Sequence, residues 1–391
     1  MSINALIPQS KLPNLGTTIF TQMSALAQQH NAINLSQGFP DFDGPAYLQA
    51  RLAYHVAQGA NQYAPMTGVQ ALREAIADKT AELYGHKPDA NSDITVTAGA
   101  TEALYAAITA LVRAGDEVIC FDPSYDSYAP AVELSGGVVK RVALQPPHFR
   151  PDWQAFAALL SDKTRLVILN TPHNPSATVW QKADFAALWQ AIAEREIYVL
   201  SDEVYEHIIY DGRKHVYMNS IPGMWERTVS CSSLSKTYSV TGWRLGYAIA
   251  PENIMARIRQ YHDFNAVGCP SPLMEAAVVG LNMPQSYYDE FGAHYAHMKK
   301  IFTEGMRDIG IPFTDPEGTY FVLADVSPYL KKGQSDVDFC EQLARKAGIG
   351  VVPGSSFFNE PINNIVRLHF AKKDETLYAA LDRLSHIKDM M

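Results

Sequence analysis

Residues 228–251, TVSCSSLSKTYSVTGWRLGYAIAP, combine a run of small hydroxyl side chains with a lysine at 236 and an arginine at 244. The segment opens on β-branched residues (Thr228, Val229) and closes on an apolar run (Tyr247 to Ala250). An ammonium drawn into such surroundings is costly unless paired or functional. Desolvated beside other cations, it becomes an amine able to form a Schiff base. Ser233, Ser235 and Arg244 supply hydroxyl donors and a fixed positive fork of the kind that holds a phosphate dianion. An amine for an aldehyde beside a grip for a phosphate matches the two anchors that pyridoxal 5'-phosphate requires. A lone Ser-Lys pair fits a solvated lysine between two strands equally well, so the remaining parts of such a site have to occur elsewhere in the chain.

The elements that would position them alternate. Ile94–Thr97, Glu117–Phe121, Gly137–Val142, Leu166–Leu169 and Ile197–Leu200 are strand-like, with helical segments between them. That alternation predicts an α/β fold with a mostly parallel, doubly wound sheet. Such sheets place ligands outside the carboxyl ends of their strands. There the sequence puts Ala98-Gly99-Ala100-Thr101-Glu102, then Asp122 to Tyr128, Asn170 to Ser176, and Ser201-Asp202-Glu203-Val204-Tyr205. The turn at 98–102 feeds a helix expected over Ala103–Val112, and free N–H groups at a helix start favour an anion. Many turns share that composition. Tyr125 suits either stacking on a planar ring or packing in the core. The Gly- and Pro-rich stretch Ser36 to Pro45 reads as a rigid turn.

The ends of the chain read differently. An extended arm is expected over residues 1–16 and a helix over Thr17–His30. After residue 282 the pattern gives a helix at 285–309, a strand at 317–323 and a helix at 337–347. A strand at 349–352, the strand 364–370 carrying Arg367 among apolar residues, and a helix at 376–387 follow. The expectation is an arm and part of a small α+β domain over 1–45, a large cofactor-binding domain over 46–281, and the rest of the small domain over 282–391.

Composition narrows the classes. The chain has 391 residues, 47% hydrophobic and 19% charged, with a formal net charge of -9. Its acidic balance argues against a broad nucleic-acid surface. No apolar run approaches the roughly 20 residues that span a bilayer. The N-terminal segment lacks a basic stretch followed by an apolar core, so no secretory signal is expected. Cys120, Cys231, Cys269 and Cys340 lack metal or disulfide spacing and read as reduced structural thiols of a cytoplasmic protein, with no metal site.

The full spacing Ser233-Leu-Ser-Lys236 followed by Gly242-Trp-Arg244-Leu-Gly246 resembles the lysine signature of class I/II aminotransferases of PLP fold type I. The resemblance extends through NLSQGFPDF (34–42), NQYAPMTG (61–68), TPHNPSATVW (171–180) and the strand around Arg367. It implies that Lys236 is the covalent anchor and proton shuttle, and that Asp202 pairs with the pyridine nitrogen. Tyr205 and Asn174 would bond the ring's phenolic oxygen, and Tyr125 would stack on the ring. Gly99, Ala100, Thr101, Ser233 and Arg244 would surround the phosphate. Tyr63 would reach the phosphate of a neighbouring subunit, implying a homodimer with shared sites. Arg367, with Asn174, would take the substrate carboxylate, and Gly38 would lie against the substrate. Trp243 departs from the small aliphatic residue frequent before the arginine, and Ser239 sits at a position that tolerates several small residues.

Within the family these motifs resemble the kynurenine/glutamine transaminases and bacterial methionine aminotransferases. Phe20, Tyr63 and Tyr125 could line an apolar side-chain pocket, although Phe20 suits the core equally. The expected reaction moves the amino group of methionine, an aromatic or a glutamine-like amino acid to a 2-oxo acid. A cysteine-conjugate β-lyase or an ACC-synthase-like elimination would use the same Lys236 and Asp202. A non-enzymatic, pyridoxal-phosphate-binding sensor is disfavoured by the acidic charge and by the absence of a DNA-binding module before Ser36.

Overall fold

The computed structural model describes residues 9–13 and 15–390. Residues 1–8 and 14 of the expected arm lie outside the described residues. The first helix, Ile19–Gln29, starts where the Thr18 hydroxyl accepts from Thr21 N, satisfying one free donor of the first turn. It leads into the short strand β1 (Ile33–Asn34), and helices Ala46–Ala57 and Gln70–Tyr84 follow.

The next seven strands are β2 (Ile94–Thr97), β3 (Glu117–Asp122), β4 (Val138–Ala143), β5 (Thr164–Asn170), β6 (Tyr198–Asp202), β7 (Thr228–Ser233) and β8 (Gly246–Ile249). They form one sheet of order β2-β8-β7-β6-β5-β3-β4. Pairing is parallel from β4 across to β7, and β8 runs antiparallel to both of its neighbours. Successive residues of a strand point to opposite faces. Val118, Ile168, Leu200 and Val229 therefore pack with helices Ala100–Leu111 and Glu252–Ala266. Ile119, Val167, Leu169 and Val199 face helices Trp153–Leu159 and Lys182–Ile192 on the other side. Burial on both faces explains why these strands read as continuous apolar runs.

Beyond helix Ser271–Leu281, the 25-residue helix Gln285–Ile309 buries Phe291, Tyr295, Met298, Phe302 and Met306, a stripe at three- and four-residue spacing. Strands β9 (Phe321–Asp325), β10 (Ile349–Gly350), β11 (Val352–Pro353) and β12 (Ile365–His369) complete the set. A three-stranded antiparallel sheet has the order β11-β12-β9, while β10 pairs in parallel with β1. Helix Asp374–Ser385 closes over this part of the core through Leu377 and Leu384. Among the described residues, no helix is long and apolar enough to cross a membrane.

Three boundaries depart from expectation, each for a local reason. The strand read from Glu317 begins at Phe321, because Thr319 has φ +58° and Gly318 is pressed against Pro172 and Val179 with no room for a Cβ. The strand read over 349–352 divides between two partners, β1 and β12. The helix expected over 337–347 is α-helical at Asp336–Gln342 and continues as a π-helical turn over Leu343–Ala347.

The turn after β6 is pinned to the rest of the fold by a buried ion pair. Glu206 accepts from Lys79 Nζ at 2.6 Å, from Ser232 Oγ at 2.7 Å, and from the Tyr84 hydroxyl. Burial alone would raise the Glu206 pKa. Lys79, with His207 and His215, outweighs it and holds the carboxyl well below the usual range. A depressed pKa stabilises the fold above the unfolded carboxylate value of about 4.3, and that contribution disappears as pH falls through the folded value. Lys79→Met strands the carboxylate without a counter-ion and is expected to cost about 3–5 kcal/mol at pH 7, read by urea denaturation. A variant unfolding at the wild-type midpoint would contradict this account of the pin.

Candidate active site

Five strand ends of the large sheet converge with the segment after β1 and with β12. β7 ends at Ser233, whose extended backbone makes it the N-cap of a single helical turn, Leu234–Thr237. Its hydroxyl accepts from Ser235 N at 3.0 Å and donates to the Leu245 carbonyl at 3.0 Å. That turn carries Lys236, whose Nζ donates to the Gly38 carbonyl at 3.1 Å and lies 5.7 Å from the ring centres of both Tyr205 and Tyr320. Burial, together with the charges of Arg367 and Arg244, lowers the Lys236 pKa to about 8, with Asp202 opposing. A sizeable fraction of the amine is therefore neutral near physiological pH.

Asp202 ends β6. Its Oδ2 accepts from the Tyr128 hydroxyl at 2.6 Å and its Oδ1 from Val204 N at 3.3 Å. Burial raises the carboxyl pKa to about 6, against those two hydrogen bonds and the Lys236 charge. Asn170 lies opposite Asp202 at the end of β5 and ties two loops together. Its Nδ2 donates to the Asp202 carbonyl at 2.8 Å, and its Oδ1 accepts from Asn174 N at 2.7 Å. Tyr205 is buried edge-on to Tyr320, and burial pushes its hydroxyl pKa up.

Opposite them, β2 turns at Gly99 (φ +81°) into a helix that starts at Ala100, three residues earlier than read from the sequence. A Cβ on Gly99 would collide with the Arg244 guanidinium, and one on Gly246 with the backbone at Gly99 and Ala100. The two glycines let helix start, arginine and β8 meet at van der Waals distance. Ser235 Oγ is buried there without a hydrogen-bond partner. Ala100, Thr101, Ser233, Ser235 and Arg244 wall one cavity with Lys236 and Asp202. An unpaired hydroxyl, a guanidinium and open first-turn N–H groups are the donor set a phosphate needs. These residues therefore fit the phosphate of a phosphate-bearing cofactor. Tyr125 lines the same cavity, edge-to-face with Tyr128 at 5.6 Å.

An adjoining cavity reaches Arg367 on β12. Its Nη1 donates to Asn174 Oδ1 at 2.9 Å and its Nη2 to the Ser36 carbonyl at 2.8 Å, while its Nε is buried without a partner. Phe321, Phe357 and Phe20 surround the guanidinium at 4.2, 4.8 and 4.9 Å from their ring centres. Burial lowers its pKa to about 10, leaving it cationic at neutral pH. Gly38 packs flat because a Cβ would sit 2.9 Å from Phe321 and 3.2 Å from Tyr320.

The structure thus gathers Gly38, Gly99, Ala100, Thr101, Tyr125, Asn174, Asp202, Tyr205, Ser233, Lys236, Arg244 and Arg367 around two joined cavities. Phe20, read as wall or core, is wall. Tyr63 is the exception: 90% exposed, it faces a separate surface hollow beside Gly268–Pro272. Sequence reasoning assigned no role to Tyr128, Asn170, Tyr320 or Phe357. Only Tyr128 and Asn170 carried a signal, since each lies in a loop already singled out.

The protein-family model described as aminotransferase class I and II matches residues 30–384. The methionine aminotransferase of Escherichia coli (strain K12) is 61% identical over 388 residues, covering 99% of this chain and 100% of that protein. A kynurenine–oxoglutarate transaminase of Dictyostelium discoideum is 31% identical, covering 97% and 96%. A crystal structure from Escherichia coli, whose reactivity identified a methionine aminotransferase function, superposes with a TM-score of 0.94 at 62% identity, covering 97% of this chain and all of that one. By family model, identity and fold, the chain belongs to the class I and II aminotransferases.

Proposed function

We propose that this aminotransferase takes the amino group of methionine, and of aromatic or glutamine-like L-amino acids, and passes it to a 2-oxo acid with pyridoxal 5'-phosphate as cofactor. The observation that carries the reading is the shared cavity of Lys236 and Asp202, with the unpartnered Ser235 hydroxyl at one end and Arg367 at the other. The likeness to the Escherichia coli methionine aminotransferase supports the substrate. So does the mouth, where Phe20, Phe39 and Phe321 offer rings to a thioether or an aromatic side chain.

Pyridoxal phosphate, when bound, supplies an aldehyde for the amino group and a protonated pyridine ring that draws electrons from the substrate Cα. Gly99, Ala100, Thr101, Ser233 and Arg244 hold its phosphate, joined by the Ser235 hydroxyl. Tyr125 covers the ring. Asp202 keeps a proton on the ring nitrogen, and Tyr128 fixes which way that carboxylate faces. Tyr205 and Asn174 donate to the ring's phenolic oxygen. Arg367 binds the substrate carboxylate through its planar fork. Lys236 Nζ, as a neutral amine, would take the proton from the substrate Cα and give it back later in the reaction. The Gly38 carbonyl gives the ammonium a resting acceptor between the two moves.

Residues 46–281 act as the cofactor domain, and residues 1–45 and 282–391 as the smaller one. A homodimer completes the site. Tyr63 at 90% exposure and Phe264 at 92% are aromatic surface that a second copy would cover, bringing Tyr63 to the neighbour's phosphate. Four free, buried cysteines fit a cytoplasmic protein.

A half-reaction screen tests the substrate class. Holoenzyme mixed with single amino acids should lose the absorbance of the lysine-bound cofactor fastest with methionine or phenylalanine. Much faster conversion by aspartate or glutamate would overturn that class. A second expectation concerns Lys236, whose depressed pKa means the neutral, reactive amine accumulates as pH rises through about 8. Capture of pyridoxal phosphate by the apoprotein should accelerate across that range and level off above it. Lys236→Ala should still bind the cofactor, but without the covalent absorbance and without turnover. Arg367→Ala, finally, removes two charge-assisted hydrogen bonds and should raise KM for methionine by about 10–100-fold, with capture of the cofactor at Lys236 unchanged. An unaltered KM would remove Arg367 from its role.

A further inference from the structure

Behind the phosphate turn, helix Glu252–Ala266 carries a histidine that the reaction does not use. His262 is fully buried. Its Nδ1 lies 2.8 Å from Glu102 Oε1 and its Nε2 lies 2.7 Å from the Met66 carbonyl. A carbonyl oxygen only accepts, so Nε2 must carry a proton. A carboxylate also accepts, so Nδ1 must carry one as well, and a ring with both nitrogens protonated is an imidazolium. The other carboxylate oxygen, Glu102 Oε2, accepts from Ala98 N at 2.7 Å, at the start of the turn that forms the anion cradle.

This placement answers an electrostatic difficulty. Glu102 sits in the first turn of helix Ala100–Leu111, where a carboxylate favours the helix dipole. The same turn faces the cavity that holds Ala100, Thr101 and Arg244. A bare carboxylate there would repel a phosphate dianion through a poorly solvated interior. We infer that His262, held as an imidazolium between Glu102 and Met66, is a positioning residue for the cofactor phosphate: it neutralises Glu102 and fastens the loop bearing Tyr63 to the cradle. The inference rests on the reading that this cradle takes the phosphate of pyridoxal phosphate.

The charged groups around the ring favour its proton. Burial alone would lower the His262 pKa. The hydrogen bond and charge of Glu102, the Met66 carbonyl and Asp263 on its own helix together raise it above the ordinary histidine value. Cys269, which also feels Glu102, is kept as a thiol by a pKa of about 12. The proton on His262 is therefore lost only as pH climbs through a raised value, and its help to an anion falls in that range.

The test compares apoprotein of wild type, His262→Gln, Glu102→Gln and the double variant, each titrated with inorganic phosphate and with pyridoxal phosphate. His262→Gln should weaken both ligands by about tenfold or more, the scale of one charge-assisted contact. The double variant should recover most of that loss, which a merely structural role for His262 would not produce. In protein labelled with 15N-histidine, the buried ring should show two N–H groups at pH 7. A double variant as weak as His262→Gln, equal affinities in all four proteins, or a single ring N–H would overturn the inference. The cofactor reading fails separately. If inorganic phosphate follows the expected order but pyridoxal phosphate never attaches to Lys236, the role of His262 stands and the cofactor assignment falls.

Discussion

The site depends on holding Lys236 and the buried Arg367 beside the more exposed Arg244, with too few anions to pair them. Like charges crowded out of water shift protons off the group that can release one, and only the lysine can. Arg367 stays charged at neutral pH, and the lysine yields, to about 8. The arrangement is tolerable because each cation has backbone carbonyls to donate to: Gly38 for Lys236, Thr241 for Arg244 and Ser36 for Arg367. Those carbonyls belong to tight turns, so the oxygens are fixed and cannot follow a departing cation.

Holding the cations in place falls to contacts between the large sheet and the two small ones. Ser36 and Gly38 come from the segment after β1, which pairs with β10, and Arg367 comes from β12, whereas Asn174 and Asp202 belong to loops of the large sheet. Arg367 donates across that divide to Asn174 and, on its own side of it, to Ser36. Gly38 lies between, flat against Phe321 and Tyr320, with Lys236 and the Tyr320 hydroxyl both donating to its carbonyl. A side chain at residue 38 would push this segment off Phe321 and Tyr320. The need for glycine there is therefore steric, and it sits where the distance between the carboxylate fork and the amine is set.

Much of this was legible in the sequence because strand order places loop residues. The apolar runs of β3, β5 and β6 identify strands buried on both faces, and parallel strands deliver their terminal loops to one edge. Lys236, Asp202, Asn174 and Arg367 follow from that logic together with the motifs. Tyr128 and Tyr320 did not, because a tyrosine gives the same apolar, half-polar signal whether its hydroxyl meets a carboxylate, a carbonyl or water. His262 was silent for a related reason: a histidine on a helix declares nothing until both its nitrogens are seen against acceptors. The starting point of β9 was missed because positive φ at Thr319 comes from tertiary packing around Gly318, which no local propensity encodes.

The partners of Arg367 bear on how the enzyme selects its substrate. Two of its N–H positions are already used within the chain, one by a side-chain amide and one by a carbonyl. The remaining N–H positions, including the unpartnered Nε, are open to an anion without displacing either partner. Aromatic faces on three sides leave the guanidinium little access to water, strengthening whatever anion it meets. On the proposed reading, the carboxylate common to all amino acids would be met by the open positions of this fork. The side chain that distinguishes them would then meet the rings of Phe20, Phe39 and Phe321, which offer apolar surface rather than hydrogen bonds.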